Sequence, residues 1–385
     1  MISIVNRENC CGCSACESIC PHGAIVMKPD NMGFLYPVVD KDKCVDCGLC
    51  HRVCSFNNAY DKTLNMSSPQ CYSFRHKDIS EVATSRSGAA FVCLADWVLE
   101  NRGVVYGVGY DDKFRAIHKR ADSKQEIKDF KGSKYVQSDL NKTFKLVKKD
   151  LNSGRLVLFS GTPCQTSGLA SYIGPKLRKN LFLIDIVCHG VPAPYIWRDY
   201  LCYIAKKQKE HIMAVSFRDK SDIGWAAHKE SFTFPSKKIY KNTYTDLFYK
   251  HIMFRPSCKV CPFTNLTRPS DVTLADFWGW ENVDRKLNDD DKGISLLFCN
   301  TEKGLELFNK IKDRATYAPV QISQCLQPNL QAPSNFHPQY LKFEEDYLNR
   351  GLEFIMWKYG NQNIRYYLKL FFKKTRTLIR IIIGK

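Results

Sequence analysis

The run Cys10-x2-Cys13-x2-Cys16-x3-Cys20 recurs in this chain as Cys44-x2-Cys47-x2-Cys50-x3-Cys54. No other feature constrains the fold as much. Two-residue spacers let a tight loop bring three thiolates round one small inorganic core, and the fourth cysteine of each run reaches across to the other core. By that logic Cys10, Cys13, Cys16 and Cys54 hold one 4Fe-4S cluster, and Cys44, Cys47, Cys50 and Cys20 hold a second. Zinc is the competing occupant. Structural zinc sites commonly draw four ligands from separated pairs, which two uninterrupted runs of the same spacing fit poorly. Cys11 adds a fifth thiol to the first run, but its use as a ligand would break the spacing, so it reads as a neighbour. Pro21 follows Cys20 as the bacterial cluster run requires, and Ser55 takes the matching place after Cys54 without changing the ligand count.

The remaining cysteines bear on the compartment. There are 18 in 385 residues. A secreted disulfide scaffold is one reading of so many, yet such scaffolds are far shorter. The opening MISIVNRENC also lacks the apolar stretch of a signal peptide. A reducing compartment leaves thiols free to bind metal, so a cytoplasmic protein is expected. The formal charge is +18. Such a balance suits an anionic partner, and its distribution matters more than its sum. From Phe354 to Lys385 there are eight Lys or Arg and no acid. A basic, apolar tail can lie on the inner surface of an anionic membrane; a terminal helix docked on the protein is the plainer alternative. No apolar run is long enough to span a bilayer, and no nucleic-acid motif accompanies the charge.

Residues 61–70, DKTLNMSSPQ, are polar and read as a linker after a Cys-rich unit over 1–60. Beyond them the pattern is mixed. Val104–Val108, Leu156–Phe159, Leu181–Val187 and Ala214–Phe217 look like buried strands, while Ala89–Asn101 and Ala193–Lys207 look helical. Alternation of this kind predicts a mixed α/β unit. Residues 320–350 are rich in Pro and Asn and poorly patterned.

Several short segments in this larger part resemble one known family. They are Ser85-Arg-Ser-Gly88, Lys131-Gly-Ser-Lys-Tyr-Val-Gln-Ser138, Gly161-Thr-Pro-Cys-Gln165, Cys188-His-Gly190, Ser216-Phe-Arg-Asp-Lys220, Arg255-Pro-Ser-Cys-Lys-Val-Cys261 and Arg268-Pro-Ser-Asp-Val-Thr-Leu-Ala-Asp-Phe-Trp-Gly279. In this order they resemble the beta subunit of coenzyme F420 hydrogenase/dehydrogenase, with a ferredoxin fused ahead of it. The resemblance implies an α+β ferredoxin-like dicluster unit followed by a larger mixed α/β flavin-binding unit. It divides the latter into an N-terminal region over 71–150 and a C-terminal region over 151–320, with an extension over 321–385. It also implies FAD, exchanging electrons with the clusters. Members include oxidoreductases of the deazaflavin coenzyme, a chlorophyll reductase and bacterial proteins met in polysaccharide gene clusters, so the substrate stays open.

The residues themselves support a flavin more weakly. Clusters pass single electrons and most organic substrates change by two, so a flavin is the natural converter. No Gly-x-Gly-x-x-Gly follows a strand, and Gly103, Gly107 and Gly109 have the wrong spacing, so a non-Rossmann mode of binding is expected. Arg86, Ser87 and Gly88 precede a helix-like stretch whose N–H groups attract phosphate. Lys131, Gly132, Ser133 and Lys134 offer cations and small residues, with Tyr135 able to stack on a ring; Gly161 and Thr162 close a strand. Each of these is also readable as an ordinary turn. Cys164, Cys188, Cys258 and Cys261 are enough for a third 4Fe-4S cluster, with a redox dithiol, zinc or plain buried thiols as rivals. His189, Arg218 and Lys220 are the acid–base and substrate-contact candidates, whereas Asp271 and Asp276 read as structural carboxylates. Cys71, Cys93, Cys202, Cys299 and Cys325 lack partners in the pattern and read as structural.

The expected protein is thus an iron–sulfur flavoenzyme with a ferredoxin-type or other redox donor or acceptor and a small-molecule substrate. An electron-transfer subunit serving a partner enzyme, or a redox-sensing scaffold, would carry the same clusters.

Overall fold

A computed structural model describes residues 1–56, 60–284 and 286–362. The basic tail expected to meet a membrane, from residue 363 on, lies outside the described residues. Among the described residues no helix is long and apolar enough to cross a membrane.

The Cys-rich unit is built on a two-fold plan. Strands β1 (Ile25–Pro29) and β2 (Leu35–Val39) form an antiparallel hairpin. Each cysteine run closes on a short helix, Ala15–Ile19 or Leu49–Arg52. The repeat extends to the backbone: Gly12 and Ser14 have positive φ, and so do Asp46 and Gly48 at the matching positions. A loop curled this way turns successive N–H groups inward, which favours an anionic guest.

The larger part is organised by an eight-stranded sheet in the order β13-β3-β12-β11-β7-β6-β4-β5. The strands are β3 (Asn65–His76), β4 (Val104–Tyr110), β5 (Ala116–Ala121), β6 (Val157–Gly161), β7 (Leu181–Ile186), β11 (Val272–Asp276), β12 (Ser295–Thr301) and β13 (Ala315–Val320). Its centre is parallel: β4 pairs with β6, β6 with β7, and β7 with β11. Central strands are sealed on both faces, so they read as unbroken apolar runs; Leu181, Leu183 and Ile184 are fully buried. Helices Ala90–Glu100 and Pro194–Gln208 occupy the stretches expected to be helical.

Three expectations need correction. Residues 65–70 are not linker. They form the first half of β3, and Asn65, Gln70 and Cys71 pair with β12. Polar composition misled here because the first half of this strand is largely exposed. Ala214–Phe217 is not a buried core strand either. Only Ala214–Ser216 is extended, as the edge strand β8, which pairs with β9 (Glu230–Thr233), itself paired with β10 (Lys238–Lys241) in a small separate sheet. Last, the poorly patterned stretch to 350 contains most of a helix, Tyr340–Lys358, broken at Gly351 by a φ of 75°.

The Cys-rich unit does not stand apart. Cys11, Cys13, Ala15 and Val53 share a hydrophobic core with Phe144, Phe159, Leu169 and Leu183. Met32 and Phe34 share another with Trp197 and Phe254. Phe56 and Tyr60 pack on Phe263 with ring centroids 6.1 and 5.1 Å apart.

Candidate functional site

The N-terminal thiols lie in two neighbouring groups. Cys20, Cys44, Cys47 and Cys50 line one surface pocket, with Met1, Lys43 and Asp46 at its edge. Cys10, Cys13, Cys16 and Cys54 form the second group. Burial pushes the Cys16 thiol up, and its neighbours Cys13, Cys10 and Cys54 push it further. The two sets differ in depth: Cys47 is exposed, whereas Cys13 and Cys16 are buried.

The third thiol set is made by the parallel sheet. Cys164 lies in the first turn of the helix Pro163–Ile173, which follows β6. Cys188 lies two residues beyond β7. These strands are neighbours, with Gly161 opposite Asp185, so the two cysteines emerge side by side at the carboxyl end of the sheet. Such ends are where open α/β sheets present their sites. Arg255 N–H donates to the Val191 carbonyl at 2.9 Å, and this draws in the loop that carries Cys258 and Cys261. All four thiols line one pocket with Cys11, His189, Arg255 and Arg268; its empty space is about 470 Å³, part of it open to solvent.

Burial pushes the Cys188 and Cys261 thiols up to about 12 and raises Cys258 as well. A hydrogen bond from Cys11 lowers Cys164 to about 7. Binding metal at such a set must displace protons. Among the described residues, no three His, Cys, Asp or Glu side chains close on a single ion. A cubane demands something else: four thiolates at the corners of a wider core. The donor type and the shared pocket fit that demand. Cys11 is in hydrogen-bonding contact with both Cys13 and Cys164, so it links the first cluster loop to this pocket without belonging to either ligand set.

The expected cofactor residues divide into two groups. One builds the loops. Gln165 Oε1 accepts from Thr162 N–H at 2.9 Å and from Thr162 Oγ at 3.0 Å, capping the helix that bears Cys164. Gln165 Nε2 donates to Ser138 Oγ at 2.9 Å, Ser138 Oγ meets His118 Nδ1 at 3.1 Å, and His118 Nε2 meets the Ser160 carbonyl at 3.2 Å. This chain ties Gly161–Gln165 to Ser138, at the end of the Lys131 segment. Lys134 Nζ donates to carbonyls of its own loop, at 2.7 Å to Asp129 and 2.9 Å to Lys131. Lys131 pairs with Glu81, and Lys220 donates to the Val82 carbonyl at 2.6 Å. Gly132 has a φ of 78° in a turn with open space around it, beside Ser133. Ser87 Oγ donates to the Ile294 carbonyl. Gly88 presses on backbone: a Cβ there would sit 2.1 Å from the Phe74 carbonyl oxygen. These groups are engaged by the protein itself.

The second group keeps unpaired donors. Arg86 and Arg218 both lie against Asp276, at 3.8 Å for Arg86 Nε, yet Arg86 Nε and Arg218 Nε and Nη2 are buried without a hydrogen-bond partner. Around them stand Tyr135, Tyr249, His228, His189 and Trp278. Tyr135 stacks on Phe248 at 4.2 Å and Trp278 on Trp225 at 4.3 Å, with the Arg218 guanidinium over the Trp278 ring, and Tyr249 and Trp278 are part-exposed. Burial lowers His189 and His228 to about 4, so both are neutral near neutral pH. Arg86 Nη1 and Nη2 donate to the Arg218 and Trp225 carbonyls, so the free donors are Arg86 Nε and two nitrogens of Arg218, and beside these part-exposed rings they fit an anionic guest. Asp271 accepts from Arg178 at 2.9 Å and from Thr301 Oγ at 2.9 Å, a structural carboxylate.

Sequence reasoning passed over Arg255 and underrated Cys11. The available signals were a lone arginine three residues before Cys258, and a fifth thiol inside the first run.

Two stretches of the chain match known families. Residues 9–58 match the family described as 4Fe-4S dicluster domain. Residues 154–324 match the family described as the C terminus of the coenzyme F420 hydrogenase/dehydrogenase beta subunit. No curated protein matches the chain. Among solved structures, a chain of the F420-reducing [NiFe] hydrogenase complex from Methanosarcina barkeri aligns at 16% identity and a TM-score of 0.48, covering 76% of this chain and 93% of that one. Residues 154–324 thus carry the C-terminal region of the coenzyme F420 hydrogenase/dehydrogenase beta subunit, and residues 9–58 carry a 4Fe-4S dicluster domain ahead of it.

Proposed function

We propose that this protein is an iron–sulfur flavoprotein oxidoreductase that exchanges electrons between a protein redox partner and a small organic substrate. One observation carries the reading: four cysteines from three separate loops line a single pocket directly behind the first cluster loop. Cys164, Cys188, Cys258 and Cys261 would hold a third 4Fe-4S cluster there. Arg86 and Arg218, with Tyr135, Tyr249 and Trp278, would hold FAD, which supplies conversion between single electrons and electron pairs. His189 lines the cysteine pocket and packs its ring on Phe248 and Tyr249, so it is placed between the two groups. Its imidazole is a group able to exchange a proton there. The substrate in this reading is a deazaflavin, a nicotinamide or another two-electron partner, such as an intermediate of polysaccharide assembly.

The test is a count made on anaerobically purified protein: iron, sulfide and flavin together. Wild type is expected to hold about twelve irons per chain and one flavin. Cys258→Ser with Cys261→Ser should lower bound iron by about four. Unchanged iron removes the third cluster, and full iron without flavin turns the reading toward a pure electron carrier.

A further inference from the structure

We infer that Arg255 sets the reduction potential of the first N-terminal cluster, making the two halves of the cysteine repeat electrochemically unequal. The inference rests on the cluster ligands proposed above and adds a role for a residue outside them.

Arg255 is 0% exposed. Its Nε donates to the Cys10 carbonyl at 2.7 Å, Nη1 to Gln137 Oε1 at 2.9 Å and Nη2 to the Leu35 carbonyl at 2.8 Å. Nη2 also lies 3.7 Å from Cys10 Sγ. The guanidinium sits over Tyr36 at 4.3 Å and Phe34 at 5.4 Å from the ring centroids. Among the described residues no carboxylate pairs with it, whereas the buried guanidinium of Arg268 has Asp185 at 3.1 Å and that of Arg218 has Asp276. A buried, unpaired cation is strongly unfavourable unless an anion sits close by. Four thiolates round an iron–sulfur core are that anion.

The sequence of the repeat carries the same imprint. Position 12 is Gly where the second run has Asp46, and both have positive φ. At Gly12 a Cβ would lie 2.8 Å from Arg255 Nη1, so the arginine occupies the space a side chain would need. Asp46 faces solvent beside the N-terminal amine instead. Gln137, whose Nε2 donates to the Cys11 carbonyl at 2.9 Å, completes the clamp from the large unit.

Reduction adds negative charge to a cluster. A fixed cation with one N–H group within reach of a ligand sulfur favours the reduced form and raises the potential. At the second set the N-terminal amine of Met1 and Lys43 line the pocket, and both are exposed and paired with Asp46 and Asp40. Water and those carboxylates screen them.

The experiment is a redox titration followed by electron paramagnetic resonance on anaerobic wild type, Arg255→Met and Arg255→Lys. Cys47→Ser assigns the signal of the exposed cluster, and Cys258→Ser with Cys261→Ser assigns that of the third set, whose pocket Arg255 also lines. Arg255→Met should move the first cluster to a more negative midpoint and leave the second unmoved. Arg255→Lys, which keeps the charge, should restore most of the difference. Where Arg255→Met fails to assemble, Arg255→Gln keeps amide donors without charge and carries the measurement. A wild-type midpoint in the neutral variant, or an equal shift of both clusters, overturns the inference. Wild type holding only eight irons would sink the third cluster and leave this test standing, because its readout is the first cluster alone.

Discussion

At the scale of single residues, His118 is the clearest case of a side chain whose chemistry is fixed by packing. Its ring stacks on Phe159 with centroids 5.1 Å apart, and both nitrogens are engaged, one by Ser138 and one by the Ser160 carbonyl. Burial lowers its pKa to about 4. The folded state therefore binds fewer protons than the unfolded state between about 6.5 and about 4. Stability is fully present above that window, falls as pH drops through it and levels off below. The loss amounts to about 3 kcal/mol at ~1.36 kcal/mol per unit. Urea midpoints at pH 7 and pH 4.5 measure it, and His118→Gln should flatten the difference while lowering stability at pH 7. Nothing in the sequence marks His118 out; its role depends on Gln165 and Ser138, 47 and 20 residues away, meeting at one strand end.

At the scale of elements, the strands legible in the sequence are those buried on both faces. Val104–Tyr110, Val157–Gly161 and Leu181–Ile186 are largely apolar, interrupted by Ser160 and Asp185 near the strand ends, and composition is enough to find them. The exposed first half of β3 carries no such signal, and the apolar run at Ala214–Phe217 marks a strand that the fold leaves at an exposed edge. Two glycines test how closely elements approach. Gly88→Ala would place a Cβ on the Phe74 carbonyl oxygen, with no flexible atom to yield. Its expected cost is several kcal/mol, at or beyond the upper end of ordinary substitutions, read by thermal unfolding. Gly168 lies in the helix Pro163–Ile173, where Ala would ordinarily stabilise by about 1 kcal/mol. Here its Cβ would sit 2.7 Å from Cys13 Sγ. Gly168→Ala should therefore lower bound iron at the first cluster while leaving the second loaded. A gain in melting temperature with full iron would contradict the contact.

At the scale of the whole molecule, the Cys-rich unit and the sheet share two hydrophobic cores. Hydrogen exchange should register that sharing. Amides of residues 10–16 are expected to exchange nearly as slowly as those of β6, whereas amides of 44–48 exchange much faster, although both segments have the same loop geometry. Equal rates in the two loops would mean that the shared core does not hold the first one. The asymmetry also suits a carrier whose outer cluster meets a partner and whose inner cluster meets the site.

What the sequence determined by itself is local. Cysteine spacing specifies two cluster loops, because ligand geometry is encoded within about ten residues. Apolar runs specify the parallel strands, and the ordered motifs resemble the family whose C-terminal region matches residues 154–324. What only the tertiary structure decided is which distant groups share a site. Cys164, Cys188, Cys258 and Cys261 become one set because β6 and β7 are adjacent and the Arg255 loop pairs back onto residue 191. Arg255 and Gly12 lie far apart in the chain and meet only in the fold. A buried charge has no sequence signature of its own, and its meaning comes from the thiols that the fold brings beside it.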